Sequence, residues 1–261
     1  MSNDQYILKH YEKVAKNFGL KAESSIQDPY IREKEIEFFL GELQKKFLPE
    51  DSFSLLEIGP GNGLLLSLIG EYFPNAKLTG IEFSPDLIKL AEQRNILNAK
   101  LVSGDIRDQS YFQEKFDVVI SERVLINLLS KRHQYNAIKN ISECLHPGGL
   151  FLMSESFKES WLQLNSARRE IQLSEIEQSK HNLYLTQATL KHIQDLGLVS
   201  RPHVMGSHYL STHFYLSRVF YPLVKEHGRK KDPHLLRFFN AAFPPGVGQY
   251  SPIQLHKFEK P

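Results

Sequence analysis

The chain has 261 residues, 41% of them hydrophobic and 24% charged, which suits one large globular domain or one domain with a cap. These values exclude collagen-like, disordered and disulfide-scaffold classes, and the chain is long enough to bury a core without metals or disulfides. Lys+Arg 32 against Asp+Glu 30 leaves a formal charge of +2, too small a surplus for a protein built to neutralise nucleic-acid backbones, so no nucleic-acid partner is expected.

Residues 4–17 read as a short amphipathic helix, with Tyr6, Ile7, His10, Tyr11 and Val14 at helical spacing. Asp28-Pro29 marks the start of a second helix, with Asp28 as N-cap, running to about Phe47. From residue 53 short apolar runs alternate with helical stretches. Strands are predicted at Phe53–Ile58, Lys77–Glu82, Lys100–Ser103, Phe116–Ser121 and Leu150–Ser154, with helices at Leu64–Tyr72, Pro85–Ile96 and Lys131–Leu145. Such alternation argues for a parallel sheet covered by helices on both faces, which is why the runs are almost continuously apolar. Beyond residue 155 the order loosens. A polar helix is predicted at Glu159–Ile176, a clearer one at Thr186–Leu196, a strand at Leu198–Met205 and a last edge strand at Ile253–Phe258. Residues 207–247 are rich in aromatics, His and Pro and show no β-α period. The single cysteine, Cys144, excludes an internal disulfide and a multi-cysteine metal site. No run of about 18 apolar residues is present, and MSNDQYILKHYEKVAKN lacks a signal peptide's apolar stretch, so a cytoplasmic location is expected.

The stretch Leu55-Leu56-Glu57-Ile58-Gly59-Pro60-Gly61-Asn62-Gly63 lies between the first strand and the first helix of the alternating region. Glycines there let the backbone turn sharply and approach a ligand, and the helix start behind them presents free N–H groups. A dinucleotide fingerprint requires glycine at position 64, which is Leu64; the pattern is G-x-G-x-G instead. Glu82 ends the second strand, where a carboxylate can accept hydrogen bonds from ribose hydroxyls. Asp105 ends the third, where it can receive an adenine amine. Each acid alone reads as a solvated loop residue. Together they mark the C-terminal strand edge, where open α/β sheets bind ligands.

On LLEIGPGNG at 55–63, IEFSPDLI at 81–88, SGDIRD at 103–108, FDVVISERVL at 116–125 and LHPGGLFLMSES at 145–156, the chain resembles the class I S-adenosylmethionine-dependent methyltransferases. The resemblance implies a doubly wound, Rossmann-like α/β sheet of seven strands with an antiparallel last strand, and S-adenosylmethionine as cofactor. It implies that Gly59, Gly61 and Gly63 line the methionine part, that Glu82 holds the ribose and Asp105 the adenine amine, that Ser121 and Glu122 border the site, and that Glu57, Phe83 and Ile106 also bind the cofactor. The expected organisation is a helical lid over residues 1–47, the Rossmann-like domain over 48–206 and 248–261, and a cap inserted at 207–247.

The acceptor is harder to read. Ser121-Glu122-Arg123-Val124 does not resemble the Asn/Asp-Pro-Pro-Tyr/Phe motif of nitrogen methylation, and one acid there does not suit a magnesium-dependent mechanism. FGLKAESSIQDPYIREKEI at 18–36, HNLYL at 181–185 and STHFYLSRVFYP at 211–222 are similar to bacterial methyltransferases of surface-polysaccharide and glycan biosynthesis. That resemblance implies O-methylation of a sugar hydroxyl on a glycan or small-molecule substrate. A different small-molecule hydroxyl or a carboxylate is the alternative, as is a regulatory protein that binds the cofactor without turnover. Among 11 histidines the candidate bases are His181, then His213, with Glu155 at the end of the fifth strand third. No metal is expected: His203, His208 and His213 at steps of five share a face of neither helix nor strand. The aromatic stretch Phe214–Val224 reads as a cap over the acceptor, as a peripheral membrane contact, or as plain packing.

Overall fold

The computed structural model describes residues 2–24, 26–225 and 233–261. Met1, Ser25 and residues 226–232, parts of the expected lid and cap, lie outside the described residues. Two helices come first, α1 (Asn3–Phe18) and α2 (Pro29–Lys46). Ser2 starts α1 as a capping box, its hydroxyl accepting from the Gln5 amide while the Gln5 side chain accepts from the Ser2 amide. Then follow β1 (Ser54–Ile58), α3 (Leu64–Tyr72), β2 (Lys77–Glu82), α4 (Pro85–Glu92), β3 (Ala99–Ser103), β4 (Phe116–Glu122), α5 (Lys131–Cys144) and β5 (Leu145–Ser156). The rest is α6 (Lys158–Glu170), α7 (Gln187–Asp195), β6 (Val199–Arg201), α8 (Ser211–Tyr215), a π-helical turn at Leu216–Phe220, α9 (Tyr221–Lys225), α10 (Pro233–Ala242) and β7 (Ile253–Glu259).

The strands form one sheet in the order β3-β2-β1-β4-β5-β7-β6. β1 to β5 pair in parallel, and β7 runs antiparallel to both β5 and β6. This is the Rossmann-like seven-stranded sheet with a reversed last strand that the motifs implied. Successive residues of one strand serve opposite faces. Leu56 and Ile58 pack with Val119, Phe151 and Met153 beside α5 and α7. Leu55 packs with Val118, Ile120 and Leu152 against Phe38, Phe39 and Leu43 of α2 and against α3. Each large apolar side chain so buried contributes roughly 1.5–3 kcal/mol. A third cluster joins Ile31 of α2 to Leu164 of α6, Phe214 of α8 and Ile253 of β7, so both ends of the chain meet beside the sheet.

Several predicted elements differ from the structure: the helix predicted to Ile96 ends at Glu92, and the strand predicted from Leu150 begins at Leu145. The strand predicted to Met205 stops at Arg201, because Pro202 has no N–H for the ladder. The helix predicted to Ile176 ends at Glu170. β7 is interior, with β6 at the edge. Asp28 also departs from expectation. Its side chain makes no capping bond to α2 and instead meets His213 Nε2 at 3.0 Å and Arg218 at 3.2 Å. Burial alone would raise the Asp28 carboxyl, but the His213 hydrogen bond and the charges of His213 and Arg218 pull it down to about 2.

Candidate functional site

A cleft opens at the C-terminal ends of β1, β2 and β4, roofed by α1 and walled by α2. Its floor is the loop after β1. Gly59 and Gly61 sit at φ +62° and +58°, in the left-handed region. A Cβ on Gly59 would stand 2.5 Å from Val124 Cγ2, whereas one on Gly61 would meet nothing within 4 Å. Gly59 therefore lets β4's following loop come close, and Gly61 leaves backbone open to the cleft. The Gly61 N–H donates to Glu82 Oε2 at 2.9 Å and the Ser84 N–H to Glu82 Oε1 at 2.7 Å, fixing that carboxylate at the strand end. Burial raises the Glu82 carboxyl, opposed by these backbone donors.

Of the sequence-derived cofactor residues, Glu57, Gly59, Gly61, Glu82, Phe83, Asp105, Ile106 and Glu122 line this cleft. Gly63 and Ser121 do not. Gly63 is the residue that starts α3, and Ser121 is fully buried with its hydroxyl donating to Glu155 at 2.5 Å. Asp105 is already partnered: Arg107 Nε lies 2.8 Å from both of its oxygens, and the same guanidinium reaches Asp4 of α1 at 3.0 Å. Burial pushes Asp105 up, but the Arg107 bonds override it and hold the carboxyl below its usual range.

Charge is dense on the α2 side. Arg32 is paired with Glu122, Arg123 with both Glu122 and Glu35, and Glu35 accepts from the Ser154 hydroxyl at 2.7 Å. Burial raises Glu35, opposed by the Arg123 charge, whereas the Arg32 and Arg123 guanidiniums lower Glu122 against its burial. Two buried polar atoms of the cleft lack a partner: Glu57 Oε2 and Arg32 Nε. An unmet acceptor and an unmet donor in one cleft suit the ammonium and the carboxylate of an amino-acid ligand.

Burial, with Glu122 adding repulsion, pushes Glu57 up to about 8. The folded state therefore keeps a proton that the unfolded chain loses near pH 4.5, and stability falls as pH rises from there to about 8. Glu57→Gln should flatten that part of a Tm-against-pH curve; an unchanged slope would reassign the effect to another group.

The three candidate bases fare differently. His181 lines the cleft, but its ring stacks on His10 at 3.8 Å, and burial with His10 lowers it to about 4. His213 is outside the cleft. It is buried, its Nδ1 2.9 Å from the Asn240 amide nitrogen and its ring stacked on Tyr30 at 4.3 Å, which leaves its Nε2–H to donate to Asp28. Glu155 is fully buried and accepts from the amides of Val124 and Leu125 at 2.9 Å and Ile126 at 3.3 Å. It shapes the loop after β4 and does not reach an acceptor. Among the described residues no group of His, Cys, Asp and Glu could hold a metal.

Sequence reasoning missed the residues that close the cleft. Arg107 ties Asp4 of α1 to the strand ends. Asn62 donates to the Gly19 and Lys21 carbonyls at 2.9 and 3.0 Å, and Arg94 donates to those of Leu20 and Asn62 at 2.6 Å. These bonds draw the segment after α1 onto the glycine loop. The enclosed volume is about 180 Å³, below the ~300–1,000 Å³ of most ligand pockets.

Comparison with known proteins follows the same lines. Residues 55–149 match a family described as methyltransferase domain. The chain is 27% identical over 183 residues to a malonyl-[acyl-carrier protein] O-methyltransferase of Bacillus anthracis, covering 68% of this chain and 66% of that one. It is 28% identical over 107 residues to a fatty-acid O-methyltransferase of Mycolicibacterium smegmatis, covering 39% and 36%. The chain thus spans just under two thirds of the Bacillus protein, and 57% of its Priestia megaterium counterpart. Among solved structures it superposes on the N-methyltransferase NodS of Bradyrhizobium japonicum in complex with S-adenosyl-l-homocysteine, at TM-score 0.61 and 16% identity over 98% of both chains. It superposes equally, at TM-score 0.61 and 10% identity, on magnesium protoporphyrin IX methyltransferase of Synechocystis with bound S-adenosylmethionine, covering 100% and 98%. At these identities the likeness is one of fold.

Proposed function

We propose that this chain, which carries a methyltransferase domain over residues 55–149, moves a methyl group from S-adenosylmethionine to a carboxylate oxygen of a small or acyl-carried acid. The chain is an S-adenosylmethionine-dependent methyltransferase, and its own residues fit that cofactor. Glu82 takes the ribose hydroxyls on the lone pairs its backbone donors leave free. Glu57 Oε2 takes the ammonium and Arg32 Nε the carboxylate of the methionine part. Phe83 and Ile106 flank the adenine, with Asp105 sharing its acceptor capacity between the amine and Arg107. Gly63 and Ser121 serve by shaping the loop and strand end rather than by contact. Residues 1–47 act as the lid and 207–247 as the cap on a body of 48–206 and 248–261.

The bound sulfonium supplies an electrophilic methyl group. The chain's task is alignment and exclusion of water. A hydroxyl acceptor also needs a base, and here the reading of a sugar acceptor weakens. Of the three candidate bases only His181 lines the cleft, and burial with His10 lowers it to about 4, below the value that suits a base at neutral pH. A carboxylate needs none, because it is ionised already. The observation that carries the carboxylate reading is that His213 and Glu155 stay out of the cleft and the His181 ring that does line it is stacked on His10. The acids in the relatives' names, malonyl-[acyl-carrier protein] and fatty acid, are of the same class, whereas no sugar acceptor stands among the relatives described above.

The test is the chemistry of the product. Incubation with methyl-labelled cofactor and a panel of malonyl thioesters, fatty acids and nucleotide sugars should place label on the acids. Mild alkali should then release it as methanol, since an ester hydrolyses and a sugar ether does not. Alkali-stable label in a sugar fraction would restore the hydroxyl reading. Binding of S-adenosylmethionine with no transfer to any acceptor would favour the non-catalytic regulator.

A further inference from the structure

A second cavity lies in the cap, away from the cleft. It encloses about 540 Å³ between α8, the π-helical turn and α10. Its walls are aromatic. Phe239 stacks parallel to Phe243 at 5.6 Å and meets Phe220 edge-on at 5.6 Å, and Tyr215 leans on Tyr250 at 4.8 Å. No charged residue lines it among the described residues, and the Thr212 hydroxyl is spent, donating to the Pro244 carbonyl and accepting from the Val247 amide at 3.2 Å. The π-helical turn supplies Leu216 and Phe220 to the wall. Such wide turns interrupt α-helices chiefly at functional sites. Three of the thirteen large apolar side chains exposed among the described residues line it: Tyr215, Phe243 and Val247. A concentration of that kind marks a binding surface.

We propose that this cap cavity binds an unbranched hydrocarbon chain, such as the alkyl part of a fatty acid or lipid. An apolar cavity of about 150 Å³ already holds a benzene ring. On that scale the cap cavity has room for roughly twenty carbons. Among the described residues its lining supplies no charge to orient a polar body, while flat aromatic walls match a slender chain. Phe243 and Val247, 47% and 53% exposed, leave the rim open for the chain to enter. The site is independent of the methyl-transfer reading: the chain could belong to the acceptor or to a lipid that places the protein at a surface.

Equilibrium dialysis with labelled saturated alcohols and carboxylates of eight to twenty-four carbons tests it directly. Both series should bind, about three- to fourfold tighter for each added methylene, levelling off as the cavity fills. Val247→Trp, at an exposed position, should fill the rim and weaken binding at least tenfold while S-adenosylmethionine binding is retained. Phe239→Ala should weaken it with the same retention. Absence of a chain-length dependence, or unchanged binding in Val247→Trp, would overturn the proposal. So would sedimentation showing a dimer that Val247→Trp dissociates, since the face would then be a subunit contact. Methyl transfer enters none of these readings, so failure of the carboxylate reading leaves them standing.

Discussion

Replacing Arg123 with methionine should cost about 3–5 kcal/mol of stability, because it leaves the buried Glu35 without a cation while Glu122 keeps only Arg32. Arg123 sits between Glu35 and Glu122, and the side chains of the three are 11%, 0% and 5% exposed. Water therefore screens the loss poorly. For a chain of this size the melting temperature should fall by roughly 8–15 °C. The double variant Arg123→Met/Glu35→Gln should recover much of the loss, because the more deeply buried carboxylate goes with its partner. Thermal unfolding of both variants decides it. A loss of under about 1 kcal/mol in the single variant would show an ion pair of the ordinary exposed kind.

The second large effect concerns the cofactor. Glu82→Ala should weaken S-adenosylmethionine by about 1.5–3 kcal/mol, or roughly 10–150-fold, through loss of charge-assisted bonds to the ribose. The same change frees the Gly61 amide, which now donates to Glu82 at 2.9 Å, so the glycine loop loosens as well. Glu82→Gln keeps one acceptor and should lose less. Calorimetry with S-adenosylmethionine, its demethylated product and NAD measures both variants. Equal affinity of wild type and Glu82→Ala for the sulfonium would remove Glu82 from the ribose site.

These expectations draw on residues of different legibility. The glycine loop and the acids at 82 and 105 stand out in sequence because each follows its strand directly, and strand ends share one edge of an open sheet. The residues that shut the cleft carry no such local sign. Arg32 meets Glu122 across 90 positions, and Arg107 meets Asp4 across 103. Neither pairing has a spacing that a motif could encode. His213 shows the limit of the strand-end rule. Its place after β6 suggested a position over the site, but the chain turns into α8 there and spends the ring on Asp28 and Asn240. Glu155 shows another limit. It does end near the site, yet three backbone amides consume it, and no sequence pattern reveals which way a strand-end carboxylate turns.

The position of β7 bears on how the protein comes to be made. All of the motif-bearing strands emerge early during synthesis, whereas β7, last in chain order, takes a place inside the sheet between β5 and β6. Until it arrives, the edge of β5 over Leu150–Ser156 stands open and β6 has no neighbour. An unpaired apolar edge is a template for foreign strands. The nascent chain therefore passes through an interval in which the glycine loop has been synthesised but the sheet is unsealed. Chaperone demand should concentrate in that interval, and a ribosome stalled before residue 253 would release a sticky, half-closed product.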